Sequence, residues 1–292
     1  MRERVVVSSG VRIAGVVISS IAIAIALAFL LLPLAAVFFA VPPAQALRDL
    51  ASPAAATALA LSFRTSSVAV IVTALFGMPL AYWLSRGRFA GKRVLEAAVQ
   101  MPIVVPPAVA GVGLLLVFGR RGMLGPTLAA LHASVAFSTA AVVMAQAFVA
   151  GPFFIAAARQ AFDAVDPDLI AVSRTLGASA LRTFARVELP LAAPGLFAGA
   201  ALCWARALGE FGATMLFAGN LPGVTQTLPL AIYTALDSGL DVAVAMSALL
   251  LFAAFALLLL IRLLDWRIVA AGAGQRLRMR SRAGLPVHET AA

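Results

Sequence analysis

The sequence predicts an all-α membrane protein of six transmembrane helices, and three observations carry that prediction. Of its 292 residues, 63% are hydrophobic and only 12% charged, with a mean hydropathy of +1.03. That is too much apolar surface for water and too little charge to cover it, which excludes a soluble globular domain. Six apolar stretches, near 13–41, 63–85, 94–118, 135–158, 191–217 and 242–264, each reach the ~20 residues needed to cross the hydrocarbon of a bilayer. Basic residues then differ sharply in number between the two sets of flanks. Arg2, Arg4, Arg12, Arg86, Arg88, Lys92, Arg93, Arg159, Arg174, Arg182, Arg186, Arg262, Arg267, Arg276, Arg278, Arg280 and Arg282 make seventeen on one side, against Arg48, Arg64, Arg120 and Arg121 on the other. By the positive-inside rule the richer side is cytoplasmic, so both termini are expected there. The chain divides into an N-terminal segment 1–12, a six-span domain 13–264 and a basic tail 265–292. The net charge of +10 is topological, and the expected surroundings are a lipid bilayer, with no nucleic-acid partner.

The first span rises through Ile21 to Leu34, and Phe38 and Phe39 suit its outer interface. Arg2 and Arg4 before it and Ala44-Gln45-Ala46 after it imitate a secretory signal. Its apolar run is about twice the length of a signal core, so it reads as a retained span. Residues 42–62, rich in Pro and Ala, are expected to form an outer loop. The second span ends at Tyr82 and Trp83, and the sixth at Trp266, rings suited to the headgroup level. The third contains Pro102, Pro106, Pro107, Gly111 and Gly113. Proline frees backbone carbonyls that only neighbouring protein or a wet cavity can satisfy. Two readings are open: a helix broken at the prolines and facing a pathway, or a simple kink with glycine packing. An outer loop over 119–134 leads to the fourth span, which returns the chain to Arg159.

Within the cytoplasmic loop 159–190, residues 166–190 are the longest polar interruption between strongly apolar stretches. Asp166-Pro167-Asp168 reads as a helix start, with an aspartate to cap the amides and a proline in the first turn, where its missing N–H costs nothing. Leu169, Val172 and Leu176 then share one face, and Gly177 can supply the left-handed residue that ends the helix. Ser179 offers a second cap and Pro190 a stop. The prediction is two short amphipathic helices joined by a glycine elbow, whose apolar face needs a groove on a partner protein. An ordinary cytoplasmic loop is the plainer alternative.

The fifth span carries Arg206 and Glu210 within Ala205-Arg206-Ala207-Leu208-Gly209-Glu210-Phe211-Gly212-Ala213-Thr214. Ionisable groups at such depth face a bundle interior or a wet cavity. Arg206 and Glu210, four apart, fall on one helical face. Either they neutralise each other and fix packing, or Arg206 attracts an anion in a pathway while Glu210 holds it in place. Gly209 and Gly212 would permit close helix approach. Cys203 excludes an intrachain disulfide and reads as packing, and His132 and His288 lack acidic or cysteine partners for a metal. No nucleophile with a base and no phosphate-binding glycine loop occurs, so no catalytic residue, cofactor or metal site is expected, and any ATP would be bound by another chain.

Gly177 followed by Val187-Glu188-Leu189-Pro190 resembles the glycine and I-x-L-P half of the loop that marks membrane subunits of ABC importers. At the front, where that family carries Glu-Ala-Ala, this chain has Ala171-Val172-Ser173. The fifth span, continued by Phe217-Ala218-Gly219-Asn220-Leu221-Pro222-Gly223 and Thr225-Gln226-Thr227-Leu228-Pro229-Leu230-Ala231-Ile232-Tyr233, is similar to the signature of molybdate ABC transporter permeases, with sulfate permeases carrying a looser version. The resemblance runs over about 60–264 and is most specific over 174–235. It implies a cytoplasmic coupling helix between spans four and five that docks on an ATP-hydrolysing subunit through Ala171, Ser173, Arg174, Leu176, Gly177, Ala178, Val187, Leu189 and Pro190. It also implies a homodimer in a bacterial or archaeal cytoplasmic membrane, two ATPase subunits that use the ATP, and a periplasmic or lipid-anchored binding protein that delivers the oxyanion. Pro106, Pro107, Arg206, Glu210 and Thr214 are the implied pathway residues. Sulfate and tungstate are alternative cargoes. A stand-alone carrier driven by an ion gradient is the alternative from another class, but it should show ionisable residues in several spans.

Overall fold

The computed structural model describes residues 9–42, 44–45, 48, 51–257 and 259, and every regular element among them is a helix. The helices are α1 (Ser9–Phe39), α2 (Pro53–Arg86), α3 (Lys92–Val104), α4 (Pro107–Phe118), α5 (Gly125–Ala130), α6 (Thr139–Asp163), α7 (Pro167–Thr175), α8 (Ala180–Thr183), α9 (Leu189–Leu208), α10 (Gly212–Ala218), α11 (Leu228–Ser238) and α12 (Leu240–Leu257), with a π turn over Phe184–Glu188 between α8 and α9. Five are long and apolar enough to cross a membrane, or six when the bent pair α3 and α4 counts as one span. Trp266, His288 and the basic tail lie outside the described residues.

Several boundaries differ from the sequence reading. Residues 53–62 do not form a loop: the Ser52 hydroxyl accepts from the Ala55 N–H at 3.3 Å, Pro53 opens the first turn, and the alanines that follow are the strongest helix formers. The third span is broken, not merely kinked, turning 111° at Val105-Pro106. The fifth span is not one helix, because α9 stops at Leu208 and α10 begins at Gly212. Pro190 does not stop its segment, since Ala180–Leu208 runs as one 29-residue helix. The π turn explains the tolerance: the Leu189 N–H donates to the Phe184 carbonyl, five residues back, and Pro190 in the first turn of α9 has no donor to misplace. α11 lies between the fifth and sixth apolar stretches.

The interior is built from small side chains. Ala81 of α2, Ala150, Phe154 and Ala158 of α6, and Cys203 and Ala207 of α9 form one buried cluster, so Cys203 is packing. Ala110 and Leu114 of α4 join Ala141, Val142, Ala145 and Val149 of α6 and Ala213 and Phe217 of α10 in another. α11 and α12 pack on the start of α2 through Ala55, Ala58, Leu228, Ala231, Ala243 and Met246. Without a hydrophobic drive between helices in lipid, close backbone approach supplies the attraction. α1 contrasts with this core: its side chains from Val16 to Phe39 are exposed or half-exposed at a hydropathy of 2.9, as suits lipid.

The tightest helix pair is α9 on α6. A Cβ on Gly199 would lie 2.7 Å from the Ala157 Cβ, and one on Gly195 2.6 Å from the Ala161 Cβ. Gly199→Val is expected to push these helices apart and destabilise the protein by about 1–3 kcal/mol. Thermal unfolding in detergent, compared with Gly113→Val where a Cβ meets nothing within 4 Å, checks this.

Candidate functional site

The breaks in the third and fifth spans meet. Pro106 precedes α4 and Pro107 is its first residue, both exposed, and proline suits this place because it has no N–H to leave unpaired. A Cβ on Gly212, the first residue of α10, would lie 2.8 Å from the Pro107 Cβ. One on Gly111 would come within 3.0 Å of Ala213 and Leu216. Gly212 therefore acts as the sequence suggested, allowing close approach. Gly209 does not, since its nearest atom is the carbonyl of Ala205 in its own helix, at 3.8 Å.

Arg206 and Glu210 do pair, at 2.8 Å, but not as neighbours on one continuous helix. Arg206 is in the last turn of α9, whereas Glu210 sits beyond its end, in the break. There the Glu210 carboxylate also accepts from the Ala213 N–H at 2.8 Å, satisfying an amide that α10 leaves free. Glu210 is 1% exposed and the Arg206 side chain 29%, so the guanidinium is the half of the pair that a ligand could reach. Thr214 is buried in α10 with its hydroxyl unpartnered among the described residues. The arrangement places a partly accessible cation, held by a buried carboxylate, at a point where two helices stop. Phe211 packs beside Tyr233 of α11, with ring centroids 5.5 Å apart.

The helix-elbow-helix segment lies elsewhere in the fold. The Asp166 carboxylate accepts from the Asp168 N–H at 2.9 Å and the Ser179 hydroxyl from the Arg182 N–H at 3.3 Å. Gly177 takes φ +81°, the left-handed conformation that favours glycine. The Ala178 N–H reaches back to the Ser173 carbonyl at 3.1 Å and closes the elbow. α7 buries no residue: Leu169, Val172 and Leu176 are exposed, as are Ala171 and Arg174, while Ser173 and Ala178 are half-buried. Val187 and Leu189, half-buried, and Pro190, exposed, lie at the π turn and the start of α9.

The binding-protein-dependent transport system inner membrane component family matches residues 74–270, a range that includes both breaks and this segment. The chain belongs to that family. Its relatives include the molybdenum transport system permease protein ModB of Mycobacterium tuberculosis, 42% identical over 226 residues, or 77% of this chain and 86% of that protein. The ModB protein of Escherichia coli K12 is 42% identical over 182 residues, 62% of this chain and 80% of its own. The fold is shared with a bacterial ABC transporter involved in the import of the acidic polysaccharide alginate (TM-score 0.68, 15% identity, covering 89% of this chain and 98% of that one). It is shared also with the inward-facing MetNI methionine ABC transporter (TM-score 0.56, 19% identity, 72% and 94%).

In this family member, sequence reading missed a second buried carboxylate. Glu188, 3% exposed, accepts from the Tyr82 hydroxyl at 3.0 Å and from Arg86 Nε at 3.0 Å. Tyr82 is therefore not a headgroup anchor, while Trp83, half-exposed and stacked on Phe89 at 4.4 Å, keeps a position suited to that role. A lone glutamate between apolar residues was the available signal, but its partners lie about a hundred positions away. Nearby, Arg159 pairs with Glu96 and, at 3.6 Å, with Asp163, which accepts from Ser85 at 2.6 Å.

Replacing Arg206 with methionine leaves Glu210 buried without its counter-charge, and a loss of about 3 kcal/mol is expected, the lower end for breaking a buried pair. The double variant Arg206→Met, Glu210→Gln should regain most of that loss. Unfolding midpoints of the two variants in detergent measure the difference.

Proposed function

We propose that this chain is the membrane-spanning permease subunit of an ATP-driven, binding-protein-dependent molybdate importer. The observation that carries the proposal is the capped, elbowed segment 167–188 with an unburied apolar face, in a chain 42% identical to molybdenum permeases. In this reading six spans cross a prokaryotic cytoplasmic membrane with both termini inside, and the segment is a cytoplasmic coupling helix. Leu169, Val172 and Leu176 enter a groove on a separate ATPase subunit, and two permease copies with two ATPases form the complex. The permease itself catalyses nothing and binds no cofactor, and ATP is consumed by the ATPases.

Closure of the ATPases on ATP would draw the coupling helices together and rock the bundles between inward-open and outward-open states. Such a shift needs a ligand with different affinity for the two states, and ATP outside the bundle and the loaded binding protein on the far face supply it. Arg206, at the meeting of the broken spans, would offer a dianion a transient counter-charge, with Glu210 preventing tight capture. Selection among molybdate, tungstate and sulfate falls to the binding protein.

The proposal is tested in proteoliposomes containing this chain with an ABC ATPase and an oxyanion-binding protein from the same genome, using labelled molybdate with tungstate and sulfate as competitors. ATP-dependent uptake that requires all three proteins, and that excess sulfate does not suppress, is the expected result. Uptake by this chain alone under an ion gradient would overturn it in favour of a secondary carrier. In the same assay Gly177→Val should strain the left-handed elbow by about 1–2 kcal/mol and lower uptake roughly fivefold to thirtyfold, with the amount of permease in the membrane unchanged. Nothing lies within 4 Å of a Cβ there, so the strain and not a clash is what the variant reports.

A further inference from the structure

The helix-elbow-helix segment is tied to the rest of the fold by Ile170, packed on the cluster of Phe162, Val165 and Ala192, and by the π turn that ends at one buried carboxylate. α7 contributes no buried residue and meets α8 and the π turn, where the Ser173 and Thr183 hydroxyls lie 3.1 Å apart. The π turn follows at once, carrying Phe184 against Tyr82 and Phe162, with ring centroids 4.9 and 6.1 Å away. It ends at Glu188.

Both oxygens of Glu188 are engaged by one turn of α2. Oε1 accepts from the Tyr82 hydroxyl at 3.0 Å, Oε2 accepts from Arg86 Nε at 3.0 Å, and Arg86 Nη2 stands 2.9 Å from the same oxygen, off the line of a hydrogen bond but close enough for Coulomb attraction. Burying such a charge is costly, and apolar residues of similar volume in its place are often as stable or more so. An apolar contact would let the segment slide, whereas a carboxylate held through both oxygens fixes distance and direction. α2 is in turn packed along α6 and α9, and the Trp204 Nε1–H donates to the Ser66 hydroxyl at 2.8 Å, so α2 and α9 are also tied further along their lengths.

We infer that Glu188 is a positioning residue, a latch through Tyr82 and Arg86 that makes α2 follow any displacement of the segment. The inference deepens the proposed function and rests on it only where transport is the readout. It adds that the apolar groove on the partner moves a two-helix unit, the segment with α2, instead of the segment alone.

The test uses Glu188→Gln, which keeps size but sets an amide against the arginine, and Tyr82→Phe, which removes one hydroxyl and nothing else. Hydrogen exchange on the full-length permease reads the latch directly. Glu188→Gln is expected to speed exchange over residues 180–190 while the mid-helix amides of α6 keep their protection. Exchange unchanged from the wild type would overturn the inference whether or not the protein transports. In the reconstituted complex the expected result is that ATP hydrolysis persists while the ATP consumed per molybdate imported rises, roughly tenfold for Glu188→Gln and severalfold for Tyr82→Phe. Adding Arg86→Gln to Glu188→Gln removes the charge set against the amide and should bring the ratio back toward the wild type. Hydrolysis and uptake that fall together, in step with the amount of assembled complex, would show a merely structural residue and overturn the latch. Should Glu188→Gln fail to assemble, the Tyr82→Phe ratio decides alone. Absence of ATP-dependent uptake by the wild type would count against the permease reading, while the exchange result would still judge the latch.

Discussion

A helix that ends inside a bilayer leaves amides and carbonyls that water cannot reach, and most of this structure follows from how two such ends are satisfied. The third span ends and restarts at Val105-Pro106, the fifth at Gly209-Phe211. Pro106 and Pro107 bring no N–H to the restart of α4. At the restart of α10 the Glu210 carboxylate accepts the amide of Ala213, and its charge is met by Arg206. Each end needs protein around it, which is why α4 and α10 are seated together on the alanine face of α6. Gly111 and Gly212 let their backbones approach closely enough to exclude anything else.

The same economy of side-chain volume explains the division between stiff and unattached parts. Where α2, α6 and α9 meet, the buried residues are chiefly Ala, with Phe154 and Phe162 filling the wider gaps. Small residues have few rotamers to lose and allow long backbone contact, so this trio is suited to move as a body. The apolar faces of α1 and α7 are left uncovered by the chain itself. For α1 the length and hydropathy suit lipid. For α7, nine residues that include Asp168 and Arg174 and are capped by Asp166, lipid is a poor match.

What was legible in the sequence was what local chemistry decides. The Asp166 cap, the Gly177 elbow, the Ser179 cap and the shared face of Leu169, Val172 and Leu176 each depend on residues within a few positions, and each is found as read. The breaks in the third and fifth spans separate the cases. Three prolines marked the first, but nothing marked the second, because Gly209 and Glu210 are compatible with an apolar helix until α4 is present to receive Gly212. Pro190 continues the helix for a related reason: the π turn before it shifts the backbone bonding by one residue, and Pro190 falls in the first turn of α9. The prolines beside the alanines of 53–62 suggest a loop, yet Ser52-Pro53 is a helix start signal and the alanines continue it. The role of Glu188 is set by Tyr82 and Arg86, more than a hundred residues away, and no periodicity carries that distance.

The two buried carboxylates, Glu188 and Glu210, stand just before and just after α9. α9 has 20 residues, about 30 Å at 1.5 Å each, which is the thickness of the hydrocarbon it would cross. Glu188 sits where the π turn passes into α9, inside the continuous helix Ala180–Leu208, whereas Arg206 in the last turn complements the helix dipole and Glu210 stands beside the N-terminus of α10. A rod pinned at one end to α2 through Arg86 and at the other to its own broken continuation through Arg206 and Glu210 has little freedom to bend between them. At the break Gly209 is the residue with room around it, since a Cβ there would meet only the Ala205 carbonyl, at 3.8 Å. The close approach expected of both glycines is therefore made by Gly212 against Pro107, where a Cβ would lie 2.8 Å from the proline Cβ.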